Sequence, residues 1–364
     1  MSFSFNSAGI LLAMKIEAAT VLILAVALVP SLVLAQAKPS PALLALSKRD
    51  HTLAIVDPAT LKVVAKAPVG DDPHEVIAST DGKTAYVSNY GFGAFNTLAV
   101  IDLVAQKPLP PIDLGALRGP HGLTFVGGKT WFTAEGAKAI GSYDPATKKI
   151  DWILGTGQNR THMIYVTEDL ERIYTTNVSS GTVSIIEKTA SPPAGPPRGQ
   201  PAPGAPPRPM AMLGGDWNVT VVRVGDGAEG FDVAPDGKEI WVANAREGTI
   251  SIIAIPTKTV SQTLNANVRG ANRLKITPDG KLAFVSMLGG PYVAVFDVAS
   301  RKELKRIPVG HGAAGIEIQP DGSRAFVACT PDNYVTVIDL ESLAVTGHID
   351  VGREPDGLAW AVRR

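Results

Sequence analysis

Residues 231–244 read FDVAPDGKEIWVAN: a short apolar stretch, a Pro-Asp-Gly-Lys turn, and a run built on aromatic and β-branched side chains. The phrase returns as EVIASTDGKTAYVSN at 75–89, LKITPDGKLAFVSM at 274–287 and IEIQPDGSRAFVAC at 316–329. Weaker copies stand at 123–135 (LTFVGGKTWFTAE) and 164–177 (IYVTEDLERIYTTN). A further alternating strand follows most copies: LAVIDLVAQK from 98, ISIIAIPTK from 250, VAVFDVASRK from 293 and VTVIDLESLA from 335. Asp-Gly between alternating runs is a hairpin signal, because glycine accepts the positive φ that tight turns demand. No stretch downstream of residue 37 sustains apolar residues at i, i+3, i+4 and i+7, so helix is expected to be scarce.

Seven anchor positions, His74, His121, His162, Gly230, Asn272, Gly315 and Gly357, are spaced by 47, 41, 68, 42, 43 and 42 residues. A period near 42 with four strands per unit is that of propeller blades. The last unit, EPDGLAWAVRR, holds one strand; the stretch from Leu43 to Gly70 holds three. Together they complete one blade. The expectation is an all-β, seven-bladed propeller with four-stranded blades, its ring closed by pairing the C-terminal strand with the N-terminal strands. Closure removes the open sheet edges that a linear array would leave. The long spacing marks an insertion at about 189–216, whose core SPPAGPPRGQPAPGAPPRPM has nine prolines and three glycines. Such composition reads as a polyproline-II-like loop lengthening one hairpin.

Upstream of the repeats, residues 18–35 are almost wholly apolar and are followed by Ala35-Gln36-Ala37, a small-x-small cleavage pattern. Residues 1–37 are therefore expected to be a signal peptide, with Met14 as an alternative start, and 38–364 the propeller. An exported protein, periplasmic or extracellular, with no membrane span after cleavage, is the corresponding expectation.

Composition narrows the chemistry. Over 364 residues, 34 Lys+Arg balance 34 Asp+Glu, which argues against a nucleic-acid binder. One cysteine, Cys329, excludes a disulfide framework, a CxxC zinc site and CxxCH haem attachment. Cys329 itself, in FVACT, reads as a buried small hydrophobe.

Tyr86-Val87-Ser88-Asn89, Tyr174-Thr175-Thr176-Asn177 and Trp241-Val242-Ala243-Asn244 resemble the motif of the YVTN-family β-propeller repeat proteins. The resemblance runs from about Leu43 to Trp360 and implies architecture rather than activity. GPHGLTF, at 119–125, is also similar to the repeat of the streptogramin (virginiamycin B) lyases, a resemblance that implies a magnesium-dependent propeller with catalytic His and Glu near the channel. Only one blade carries that phrase, so no residue role transfers from it.

The start of each innermost strand stands at one mouth of a propeller channel. Three consecutive blades place His74, His121 and His162 there; Glu75, Glu229, Asn272, Arg273, Glu317 and Asp356 lie close by in sequence. These nine residues are the expected ligand-binding set. Imidazoles from adjacent strands could hold a divalent metal, with His74, His121 and His162 as ligands and Glu75 or Glu229 as added carboxylate or base. The competing reading is that each histidine caps its turn and bonds a neighbouring carbonyl. The first functional expectation is a monomeric propeller binding a small molecule or protein partner at the channel mouth without turnover. The alternatives are a metal-dependent lyase or lactone hydrolase using the same histidines, and a protein-interaction scaffold.

Overall fold

The computed structural model describes residues 41–189 and 217–362; the apolar N-terminal segment and the proline-rich insertion lie outside them. The described residues form 28 strands in seven four-stranded antiparallel sheets, and the helical content is two three-residue 3-10 turns. Blade 1 joins Pro355–Ala361, innermost, to Ala42–Ser47, Thr52–Asp57 and Lys62–Pro68. Blade 2 spans residues 73–113, blade 3 120–155, blade 4 161–188 with 217–223, blade 5 228–264, blade 6 271–308 and blade 7 313–349. The innermost strand of each blade touches those of the blades before and after it, and blade 7 meets blade 1, so the ring is closed.

Closure is a register of backbone pairs. Leu43 faces Trp360, Leu44 faces Ala359 and Ala45 faces Leu358. The ALLALS strand at 42–47 is buried on both faces, which is why it reads as a continuous apolar run instead of alternating. Leu44 and Leu46 pack toward blade 2, while Leu43 and Ala45 pack toward blade 7. The apolar core is divided in this way throughout: seven clusters, one in each blade-to-blade seam.

The Asp-Gly turns are longer than two-residue hairpins. One strand stops at Ala78 and the next starts at Thr84. Between them Asp81 Oδ1 accepts from Ser79 Oγ at 2.6 Å and Lys83 N at 3.1 Å, and Gly82 sits at φ 64. Asp236, Asp279 and Asp321 repeat the aspartate bond to the backbone N–H two residues on. The aspartates ending the third strands have the same role: Asp57, Asp102 and Asp144 each accept from the backbone N–H two residues later.

Register also refines the anchor positions. Pro73 pairs with Asn89, Ala228 with Asn244, Ala313 with Cys329 and Pro355 with Ser47. The structural equivalents of His74, His121, His162 and Asn272 are thus Glu229, Ala314 and Asp356, one residue before the glycines 230, 315 and 357. Those glycines serve the next layer. A Cβ on Gly315 would lie 2.2 Å from the Asp356 carbonyl oxygen, and one on Gly357 2.4 Å from that of His74. Their absence of a side chain lets neighbouring inner strands approach this closely. Among the described residues no helix is long and apolar enough to cross a membrane.

Candidate functional site at the histidine mouth

The second residue of each inner strand supplies His74, His121, His162, Glu229, Asn272 and Asp356 from six blades. Two further register positions complete the mouth. The residue just after the second strand contributes Lys48, Tyr90 and Glu135, and the residue just before the inner strand contributes Asp72 and Arg160. These five were absent from the sequence-derived set. Their signal is positional: Lys48, Tyr90 and Glu135 each follow the end of the ALLALS, YVSN or WFTA strand.

Three imidazoles stand in a row. The rings of His74 and His121 are 5.1 Å apart, and those of His121 and His162 only 3.8 Å, tilted by 35°. Burial deepens along the row: His74 is half-buried, whereas His121 is 2% and His162 1% exposed. Lys48 Nζ donates to His74 Nε2 at 2.8 Å, which leaves the ring hydrogen on Nδ1, 3.3 Å from Asp356 Oδ2. Asp72 Oδ1 lies 3.5 Å from both Lys48 Nζ and His74 Nε2. Contact with His74 and the Lys48 charge outweigh burial and hold the Asp72 carboxyl down at about 2.

His162 is clamped between carboxylates. Its Nδ1 is 2.5 Å from Glu135 Oε1, and its Nε2 is 2.9 Å from Glu229 Oε1, in ion contact but off the line of a hydrogen bond. Burial alone would push His162 down; Glu229 and Glu135 outweigh it and raise the ring to about 9. Burial also favours the neutral Glu229 acid, but the His162 cation overcomes it and the carboxyl stays low. His121 lies outside the clamp, and burial next to cationic His162 drives it well below the ordinary histidine value. Its Nδ1 is buried with no hydrogen-bond partner among the described residues. Tyr90 donates its hydroxyl to Glu135 Oε2 at 2.5 Å, and Arg160 reaches Glu135 at 3.6 Å and Glu229 at 3.7 Å.

The remaining expected residues sit deeper. Glu75 and Arg273, from blades that are not neighbours, meet across the channel in a buried ion pair, and Arg273 Nη1 also bonds Asn272 Oδ1 at 3.2 Å. Glu75 is therefore committed to Arg273 and does not join the histidines, whereas Glu229 does. Glu317 is two residues further along its strand than the Glu75–Arg273 level and faces Lys275 at 3.8 Å. Together with Tyr165 and Asp232 these side chains line a separate cavity of roughly 280 Å³ that begins at the Glu75–Arg273 layer. Burial raises the Asp232 and Glu317 carboxyls, and Glu317 raises Lys275. The nine expected residues thus divide into a histidine mouth, a cross-channel ion pair and, for Glu317, a second cavity.

Cys329 is fully buried in blade 7, where desolvation pushes its thiol up to about 11. A thiol in that state is a packing group, not a nucleophile.

No family model matches the chain, and no curated protein matches it. Solved structures do. A protein of unknown function from Desulfotomaculum acetoxidans superposes with a TM-score of 0.68 at 14% identity, over 88% of this chain and 98% of that one. A Bacteroides fragilis protein assigned provisionally as a 6-phosphogluconolactonase gives 0.68 at 17%, over 89% and 99%. Hydrazine synthase of Kuenenia stuttgartiensis gives 0.63 at 18%, over 80% and 90%. At such identities these likenesses speak for the architecture alone: the chain is built as a β-propeller of seven blades.

Proposed function

We propose that this chain is an exported propeller of the YVTN-repeat kind that binds a small ligand at the histidine mouth of its channel, without turnover of its own. The carrying observation is a pocket of roughly 530 Å³ beside that mouth, lined by Lys48, Asp72, Phe92 and Phe95. Its size is that of a small-molecule site. Phe92 is 89% exposed and held at φ 52 between two glycines that also have positive φ. A left-handed backbone costs a side-chain-bearing residue about 1–2 kcal/mol, so an aromatic kept there and uncovered is poised to meet an apolar surface. Lys48 and Asp72 are the same groups that hold His74, so a ligand lying on Phe92 would present its polar end to the histidine row. An aromatic or other flat molecule with one charged or hydrogen-bonding end fits both features.

Titration calorimetry on chelator-treated protein with a panel of aromatic acids, aromatic amines, phenols and lactones tests this. A binder weakened at least about tenfold by Phe92→Ala and by Lys48→Met, and untouched by Lys275→Met in the second cavity, supports the site. A panel without binders, or binders indifferent to both substitutions, removes it. Export rests on the apolar run at 18–35 and on Ala35-Gln36-Ala37. A fusion of residues 1–37 to alkaline phosphatase should be active outside the cytoplasm of a bacterial host; an inactive fusion of normal abundance would count against it.

A further inference from the structure

We propose that the buried cluster of His121, Glu135 and His162 is a binding site for one first-row divalent metal ion of the zinc class, with Glu229 orienting His162 from the far side. Each of the three offers one donor atom, and these atoms all lie within 4.8 Å of one another. A shared ion with bonds near 2.0–2.2 Å needs donors about 3–3.6 Å apart, so small side-chain rotations suffice. All three residues are buried. A buried imidazole nitrogen without a partner is costly, and His121 Nδ1 is one.

The surroundings are those of an oriented donor set. Glu229 flanks His162 Nε2 while Glu135 faces Nδ1. Tyr90 and Arg160 fix the second oxygen of Glu135. Carboxylates and donors behind a ligand set its orientation in this manner. Two imidazoles and a carboxylate suit zinc, cobalt or manganese, whereas calcium and magnesium favour all-oxygen sites. His74 is not a donor, because Lys48 occupies its Nε2 and Asp356 faces its Nδ1. The set therefore differs from the three histidines that sequence position groups together. None of the three donors lines the pocket at Phe92.

The test is titration of chelator-stripped full-length protein with Co²⁺, followed by visible d–d absorption, and with Zn²⁺ against a chromophoric chelator. One equivalent should bind with an absorption band. His121→Ala and Glu135→Gln should each weaken it at least about 100-fold, while His74→Gln and the surface change His311→Ala leave it intact. Thermal melts establish that each variant is folded; should one fail to fold, the other decides. A folded wild type that takes up no stoichiometric ion, or a folded His121→Ala or Glu135→Gln variant that binds as tightly, overturns the proposal. A folded wild type that takes up no ion yet keeps its Phe92-dependent ligand would sink this inference alone.

Discussion

His121 and His162 have the same ring, the same register position and centroids only 3.8 Å apart, yet their surroundings drive them in opposite directions. Each direction has a consequence for metal-free protein. His162, at about 9 when folded against 6.5 for an ordinary histidine, contributes stability that is fully present below about pH 6.5 and is lost as pH rises through 9. His121 stays neutral when folded, so the unfolded chain gains a proton that the folded one does not as pH falls below 6.5. The melting temperature in chelator should therefore peak near pH 6.5 and fall on both sides, the alkaline limb running to about pH 9. His121→Gln should flatten the acid limb and spare the alkaline one; unchanged limbs would contradict the assignment. The Glu75–Arg273 pair belongs to this scale as well. Glu75→Gln strands a buried guanidinium, whose pKa burial already lowers, and should cost about 3–5 kcal/mol by denaturant melts. A cost under 1 kcal/mol would mean that Arg273 finds another anion, for which Asp356, whose charge already acts on it, is the candidate.

At the scale of the element, the inner strand explains both what the sequence discloses and what it hides. Strands, turns and period were legible because most blades repeat the same local chemistry: an aspartate-bound turn, a buried second strand and a third strand ending in aspartate. His74, His121, His162 and Asn272 were legible for the same reason, whereas Glu229 and Asp356 were read only as neighbours of the anchor glycines, and pairing register shows that they hold the anchor position themselves. Lys48, Tyr90 and Glu135 belong to a different strand, and only pairing in space brings them beside the histidines. Glu317 lies close to an anchor in sequence, but at about 3.3 Å per residue its three-residue offset from Ala314 carries it some 10 Å down the channel. The bulge after the first inner-strand pair, present in every blade, hides such offsets from a linear reading. The glycine layer is a prediction of this scale. Gly315→Ala would push a methyl into the Asp356 carbonyl, with backbone on both sides and no rotamer to yield. A loss of about 1–3 kcal/mol is expected, against little change for Gly347→Ala, where a Cβ meets nothing within 4 Å. Equal melts for the two variants would show that the inner strands have room to part.

Across the whole molecule, seven seams share the apolar core, so no blade has a core of its own and each depends on two neighbours. Blade 1 is the weak point of that scheme, since its inner strand arrives 308 residues further along the chain (Ser47 pairs with Pro355), so the ring's start must wait for its end. A chain ending at residue 354 removes Leu358, Ala359 and Ala361 from two seams at once. It should lose the single cooperative melt of the full chain, and a truncated protein that melts unchanged would refute closure by the terminal strand.

The joining of Ala42–Ser47 to Pro355–Ala361 also has a timing attached to it. While synthesis is under way, the first three strands of blade 1 have left the ribosome without the partner that shields their inner edge, and they stay in that condition through six intervening blades. Until residues 355–361 emerge, the nascent polypeptide offers an unpaired sheet margin to whatever it meets, so holdases that recognise extended apolar segments should engage it throughout elongation and let go only at the end.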